Sequence, residues 1–277
     1  MTEQLISYFD SYVKDGICIA FSGGVDSSLL LKAACLAVAR NPLAEKKPVL
    51  AVTFETRLHP HEDTEDAAKQ AQHFGALHQV VKIDEFSNPE IVKNPVNRCY
   101  LCKHFLFDTL QKKALELGYS HLFDGSNLDD TKVYRPGLAA LKELQIKSPL
   151  ITLGFTKEMV RQTAATLGLS TSSKPSTPCM ATRLPYNTPF NYELLDRIHR
   201  GESFLRDLGF YNVRLRCHSD LIRLEVDLID FPKILEYRQE ICSYLKSLGF
   251  GFLTLDLEGF RSGSMDREII NSNSLHP

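Results

Sequence analysis

Ile17-Cys18-Ile19-Ala20-Phe21 is a short apolar run, and Ser22-Gly23-Gly24-Val25-Asp26-Ser27-Ser28 follows it directly, opening a helical pattern that continues to Arg40. A short apolar run bounded by turn residues reads as a buried parallel strand. A strand that enters a small polar turn and then a helix is suited to hold a phosphate. Glycines at 23 and 24 reach backbone angles closed to other residues and let consecutive amides turn inward, while Ser22, Ser27 and Ser28 add hydroxyl donors. The helix N-terminus behind them adds a field that favours an anion. No Gly-Lys-Ser or Gly-Lys-Thr closes the stretch, so it is not a Walker A loop. Asp26 supplies a hard oxygen ligand suited to Mg2+. The plain alternative is a serine-capped turn with no ligand; so many small polar residues beside an acid at this junction speak for a nucleotide.

Working outward, Val49 to Phe54, Gln79 to Ile83 and His121 to Asp124 repeat the short apolar form, with helical patterns at Glu62 to Phe74 and Arg98 to Leu117 between them. Alternating strands and helices imply an α/β fold, a doubly wound parallel sheet with crossover helices. Ligands in such sheets collect at the carboxyl ends of the strands. That rule places the 22–28 stretch and the Gly125-Ser126-Asn127 turn, followed by Asp129 and Asp130, where both can face one nucleotide.

Between residues 171 and 190 the composition shifts to serine, threonine and proline, with Pro175, Pro178, Pro185 and Pro189 interrupting regular structure. We read this as an active-site loop or linker between a nucleotide-binding domain at 1–170 and a small α+β domain at 191–277. The latter is expected to hold a helix at Tyr192 to Leu208, strands at Asn212 to Cys217 and Leu221 to Asp227, a helix at Pro232 to Leu248 and a strand at Phe250 to Leu257.

The chain has 277 residues and a formal net charge of −2. That balance argues against binding dominated by nucleic acid, which draws its affinity from clustered basic residues. No apolar stretch approaches the ~20 residues that cross a membrane, and the polar start does not resemble a secretory signal, so a cytoplasmic protein is expected. Seven cysteines in a reducing compartment are more consistent with buried, metal-binding or catalytic thiols than with a disulfide framework.

Cys99 and Cys102 form a Cys-x-x-Cys pair behind Asn97, a candidate N-cap, so both thiols should share one face of a first helical turn whose field favours thiolates. Cys179 follows Ser176-Thr177-Pro178, where the proline should keep the chain out of a helix and present the sulfur. Together the three make a candidate metal site. Three thiolates are one fewer than a [4Fe-4S] cluster usually takes, which would leave one iron open; zinc with His104 competes, although Cys102 and His104 are too close in a helix to share an ion easily. Cys18, Cys35, Cys217 and Cys242 read as ordinary buried thiols. Arg214 and Arg216 lie two apart on an expected strand and share a face, with Leu215 on the other and Arg223 and Glu225 alongside. A solvated strand face would explain them equally well.

The 22–28 stretch resembles the pyrophosphatase loop of ATP-using enzymes that release AMP and pyrophosphate. In order along the chain come that loop, Gly125-Ser126-Asn127-Leu128-Asp129-Asp130, Tyr134-Arg135-Pro136-Gly137, Lys174-Pro175-Ser176-Thr177-Pro178-Cys179 and Glu258-Gly259-Phe260-Arg261-Ser262-Gly263-Ser264. With these motifs the chain resembles the LarE family, ATP-dependent sulfur transferases of nickel-pincer cofactor synthesis, over nearly its whole length. The resemblance implies ATP and Mg2+ as cofactors and pyridinium-3,5-biscarboxylic acid mononucleotide as the small-molecule substrate, adenylylated and then converted to a thiocarboxylate. It implies nucleotide contacts from Ser22, Gly23, Gly24, Val25, Asp26, Ser27, Ser28, Gly125 and Ser126. Cys179 is the implied sulfur-transferring residue, and Arg183, Arg214, Arg216 and Arg261 the implied ligands of substrate phosphate and carboxylates. Cys99 and Cys102 match the branch thought to carry a [4Fe-4S] cluster with Cys179. In the other branch the lone cysteine gives up its own sulfur. A homo-oligomer is also implied. A related thiolase acting on tRNA, and a noncatalytic metal- or nucleotide-binding scaffold, are the alternatives.

Overall fold

The structure is a computed structural model, and it describes residues 1–42, 46–59, 62–173, 179–261 and 263–266. In chain order its elements begin with α1 (Thr2–Asp10), β1 (Ile17–Ala20), α2 (Val25–Arg40), β2 (Leu50–Thr56), α3 (Glu62–Phe74) and β3 (Leu77–Ile83). There follow α4 (Pro89–Val92), α5 (Arg98–Glu116), β4 (His121–Phe123), α6 (Gly137–Glu143), α7 (Pro149–Thr152) and α8 (Lys157–Thr166). The last third holds α9 (Tyr192–Asp207), β5 (Val213–His218), β6 (Leu221–Val226), α10 (Phe231–Glu236), α11 (Arg238–Ser247) and β7 (Phe252–Leu255).

The chain divides into two compact units, one of residues 1–87 and 97–177, the other of residues 88–96 and 178–277. In the first, four parallel strands form a sheet in the order β3-β2-β1-β4, with Cys18 opposite both Leu50 and Leu122. The alternation along β1 divides the core. Ile17 and Ile19 pack with the apolar faces of α1, α2, α3 and α8, whereas Cys18 packs with Leu106, Phe107 and Leu110 of α5 and Leu141 of α6. Helices therefore cover both sheet faces, which is the doubly wound α/β arrangement expected. Helix α1 was not expected: its buried Leu5, Ile6 and Phe9 lie within a start whose polar residues obscure the helical spacing.

In the second unit β5 pairs antiparallel with β6, and β6 pairs parallel with β7. A tight turn at Ser219, with φ +61°, joins β5 to β6. The expected helix from Pro232 to Leu248 is divided into α10 and α11 at Tyr237, where ψ is 10°. The hydrogen bonds from Tyr237 N–H to the Lys233 carbonyl and from Ile241 N–H to the Tyr237 carbonyl persist on either side. The expected loop at 171–190 is shared between the two units, and residues 88–96 join the second. The buried Asn94 explains that membership, since its side chain donates to the Pro185 carbonyl at 2.8 Å and its own carbonyl accepts from Asn187 N–H at 2.8 Å.

Candidate active site

In the first unit, β1 delivers the chain into the 22–28 loop, and α2 begins immediately after Gly24. Gly23 has φ +70°, a left-handed conformation that explains the glycine. Gly24 does not: it is the N-cap in an ordinary extended conformation, φ −79° and ψ 165°. The loop is closed by its own hydroxyls. Ser27 Oγ accepts from Ser22 N–H at 3.3 Å, lies 3.1 Å from Ser22 Oγ and donates to the Gly24 carbonyl at 3.2 Å. Ser28 faces elsewhere, its hydroxyl donating to Gln70 Oε1 at 2.8 Å and its N–H to the Gly24 carbonyl. Ser22, Ser27 and the loop amides thus face one another across the turn, and the Ser28 hydroxyl lies on its far side.

The second expected loop does come to the first. A Cβ on Gly125 would lie 3.0 Å from Ser27 N, so the turn after β4 packs against the start of α2 with room for hydrogen alone. Asn127 donates its side-chain amide to Asp26 Oδ1 at 3.0 Å. Ser126 is buried and donates to Asp124 Oδ2 at 2.7 Å, so its hydroxyl serves to fix the turn. Asp124 also accepts from Ser148 Oγ at 2.6 Å and Lys103 Nζ at 3.1 Å. Sequence reading missed Lys157, at the first turn of α8. Its Nζ donates to Asp26 Oδ2 at 2.5 Å, and its N–H donates to Asp129 Oδ2 at 2.8 Å. Asp129 is held below the usual carboxylate range by the Lys132 ammonium and then by that Lys157 N–H. The threonine-capped start of α8 was the available signal, Thr156 Oγ1 accepting from Met159 N–H at 3.3 Å.

Cys99 and Cys102 occupy the first turns of α5, Cys99 exposed and Cys102 half-buried. Asn97 precedes the helix, but its side chain makes no capping bond. Cys179, half-buried, belongs to the second unit; Lys174 to Pro178, and with them the expected role of Pro178, lie outside the described residues. Among the described residues no three His, Cys, Asp or Glu side chains gather into a metal-binding group. The helical pair belongs to the first unit and Cys179 to the second. Cys18 and Cys217 are buried as expected and Cys35 only partly so; burial pushes Cys18 up to about 12 and Cys35 up to about 11 and raises Cys217 as well. Cys242 departs from expectation and is exposed on α11.

Cys179 heads a single 3-10 turn, Met180–Arg183, and its carbonyl accepts three donors: Thr182 N–H at 3.1 Å, Thr182 Oγ1 at 3.0 Å and Arg183 Nη1 at 3.3 Å. Arg183 is itself clamped, with Nε and Nη2 each 2.8 Å from a different oxygen of Glu202 on α9. Burial alone would raise the Glu202 pKa, but attraction to Arg183, its hydrogen bonds and the Leu215 N–H overcome that and hold it below the usual value. From β5, Arg216 donates Nη1 to the Thr182 carbonyl at 2.7 Å and both Nε and Nη2 to Glu225 Oε2 at 3.0 Å.

Arg214 and Arg216 share a strand face, as expected, but the face is not solvated, since they are 8% and 4% exposed. Arg183 and Arg216 are thereby committed to holding the cysteine turn. Arg214 lies 5.2 Å from the Phe260 ring centroid, and burial, followed by repulsion from Arg183, pushes its guanidinium down to about 10. A buried cation so disfavoured gains from an added anion. Arg223 and Arg261, partly exposed, each approach Asp256 at 3.5 Å.

The parallel sheet, the serine-glycine loop at its carboxyl edge and the Gly125 turn define an α/β protein of the PP-loop nucleotide-binding type. The family model for NAD synthase matches residues 1–94. NMN synthetase from Francisella tularensis is similar in fold at a TM-score of 0.50 and 16% identity, covering 64% of this chain and 74% of that one. An uncharacterised protein of Synechocystis is 42% identical over 96% of both chains. The pyridinium-3,5-bisthiocarboxylic acid mononucleotide synthase of Lactiplantibacillus plantarum is 34% identical over 90% of this chain and 88% of its own. The chain belongs to the LarE family. Among the described residues, no helix is long and apolar enough to cross a membrane.

Proposed function

We propose that this chain is an ATP-dependent sulfur transferase acting on pyridinium-3,5-biscarboxylic acid mononucleotide. The 22–28 loop and the 125–127 turn bind ATP. A substrate carboxylate oxygen attacks the α-phosphorus, the bond to the bridging oxygen breaks, and pyrophosphate leaves. Mg2+, for which Asp26 is the candidate protein ligand, would offset the phosphate charge when bound. Sulfur then attacks the acyl carbon and AMP departs, a better leaving group than the original oxygen. Arg183 and Arg216 position the cysteine turn, and Arg214 and Arg261 are the candidate ligands for substrate phosphate and carboxylate.

The observation that carries the reading is the construction of the Cys179 turn: three donors fix its carbonyl while the side chain stays half-exposed. Cys99, Cys102 and Cys179 are proposed to hold a [4Fe-4S] cluster, which when bound would supply an iron open to sulfide. The half-exposed Cys179 at the head of its turn is itself a second source of sulfur. There Cys179 forms a thioester, and its Cβ–Sγ bond breaks with loss of the α-proton, giving the thiocarboxylate and dehydroalanine.

Purified protein, before and after anaerobic cluster reconstitution, is incubated with ATP, Mg2+ and the mononucleotide. Pyrophosphate and thiocarboxylate should appear together, and pyrophosphate release that does not depend on the mononucleotide would sink the proposal. Iron and sulfide analysis with the mass of the Cys179 peptide separates the two sulfur sources. Multiple turnovers with an intact Cys179 mark the cluster, whereas dehydroalanine in step with product marks the sacrificial route.

A further inference from the structure

The hydroxyl ring closes the 22–28 loop from within, whereas the peptide that leads into the loop is held from the sheet. Phe21 N–H donates to the Val52 carbonyl at 2.8 Å, which carries the pairing of β1 with β2 one residue past Ala20. The Phe21 carbonyl is taken by a side chain instead, accepting from Thr53 Oγ1 at 2.7 Å. A threonine hydroxyl has a single proton. With that proton committed to Phe21, Thr53 Oγ1 can only accept from His78 Nε2, 2.8 Å away, so the imidazole carries its proton on Nε2 and donates it. His78 lies opposite Ala51 in the register of β2 and β3, two residues before Thr53, and both side chains therefore stand on one face of the sheet. Thr53 is buried and His78 half-buried, with the Phe21 ring edge-on to the imidazole at 6.4 Å. A trans peptide unit is planar, so the Phe21 carbonyl and the Ser22 N–H point in opposite directions, and fixing one aims the other. The Ser22 N–H is aimed into the loop, where it donates to Ser27 Oγ at 3.3 Å. That bond is long, and a phosphate oxygen would replace it with a shorter, charge-assisted one.

We propose that Thr53 and His78 are positioning residues of the nucleotide site: the hydroxyl, itself oriented by the imidazole, holds the Phe21–Ser22 peptide so that the Ser22 amide faces the phosphates. Both act through the Phe21 carbonyl and not on the nucleotide. The inference rests on the nucleotide reading given above and adds to it two residues outside the loop that set its alignment. It also separates aim from packing. A hydroxyl that served only to fill the sheet would be replaced best by valine, which has the same branched shape. A hydroxyl that aims the peptide is replaced best by serine, which loses the methyl group and keeps the donor.

The test compares Thr53→Val with Thr53→Ser, and His78→Phe with His78→Gln, in the full chain. Folding is checked by circular dichroism, and the readings are taken from whichever pair folds. Binding of ATP with Mg2+ is measured by calorimetry. Thr53→Val should weaken ATP binding about tenfold, while Thr53→Ser should stay within about threefold of the unaltered protein. His78→Phe keeps a ring and loses the donor, and should weaken binding about fivefold. His78→Gln, whose amide can donate in place of Nε2, should restore it to within about threefold. A folded valine variant that binds ATP as tightly as the serine variant, or a folded phenylalanine variant that binds it as tightly as the glutamine variant, would overturn the inference alone. Failure of the unaltered protein to bind ATP would overturn the nucleotide reading together with it.

Discussion

The hydroxyl ring of the 22–28 loop is made by bonds that reach at most five positions along the chain. The turn at 179–183 is held instead by Glu202, 19 positions from its partner, and by Arg216, 34 positions from the carbonyl it grips. The first is built from neutral hydroxyls and amides at a strand-to-helix junction, the second from charges removed from water. Neutral local bonds are each worth about 0.5–1.5 kcal/mol and can be lost singly. A buried ion pair gives modest net stability while intact, and removing one partner costs far more than the pair contributed. A phosphate loop can therefore adjust to its ligand, while the cysteine turn is fixed before any ligand arrives.

The largest effect belongs to the cysteine turn. Cys179→Ser should bring thiocarboxylate formation below detection, because serine neither gives up sulfur nor supplies the third thiolate of a cluster, while substrate-dependent pyrophosphate release measured in the same assay persists. Loss of both together would mean that the turn also serves activation, which would weaken the division between the two regions. Next comes Glu202→Ala, which leaves Arg183 buried without its carboxylate and should lower unfolding free energy by about 3–5 kcal/mol in urea denaturation. The folded-state pKa of Glu202 lies below its ordinary 4.5, so the pair stabilises fully above that value and its contribution is lost as pH falls through the lower folded value. Glu202→Gln should accordingly flatten the acid limb of the stability profile. An acid limb unchanged in that variant would show that the clamp does not depend on charge.

The same contrast explains what could be read from the residues alone. The order of strand, turn and helix from Ile17 to Arg40 is local, and the structure reproduces it with strand ends moved by a residue or two. The shared face of Arg214 and Arg216 was equally legible, since period two is a property of the strand itself. Their burial was not, because it depends on distant segments, the 180–183 turn against Arg216 and Phe260 against Arg214. Glu202 gave no signal for the same reason: in sequence it is one more acid on an amphipathic helix, and the partners that make it a buried anion are Arg183 and the Leu215 amide. Lys157 was hidden by its distance along the chain, 131 positions from Asp26. Nor could serine content show where each hydroxyl points: those of Ser28 and Ser126 turn to Gln70 and Asp124.

Smaller effects probe how self-sufficient the phosphate loop is. Gly125→Ala places a Cβ 3.0 Å from the backbone nitrogen of Ser27, where neither side can yield without moving the loop. Overpacking of this kind costs about 1–3 kcal/mol, and ATP affinity by calorimetry should fall roughly tenfold.

Thr156→Ala removes the cap of α8, a bond of 3.3 Å, and should reduce unfolding free energy by about 1 kcal/mol. Its effect on ATP should be slight, less than about threefold, because Lys157 keeps its backbone bond to Asp129 and the hydroxyl ring of the 22–28 loop does not include α8. The two variants are best measured side by side. If Thr156→Ala weakens ATP binding as much as Gly125→Ala does, the loop depends on the placement of α8 and is no more locally held than the cysteine turn. If it lowers stability and leaves binding nearly unchanged, the loop is held by its own residues and by the Gly125 turn packed against it.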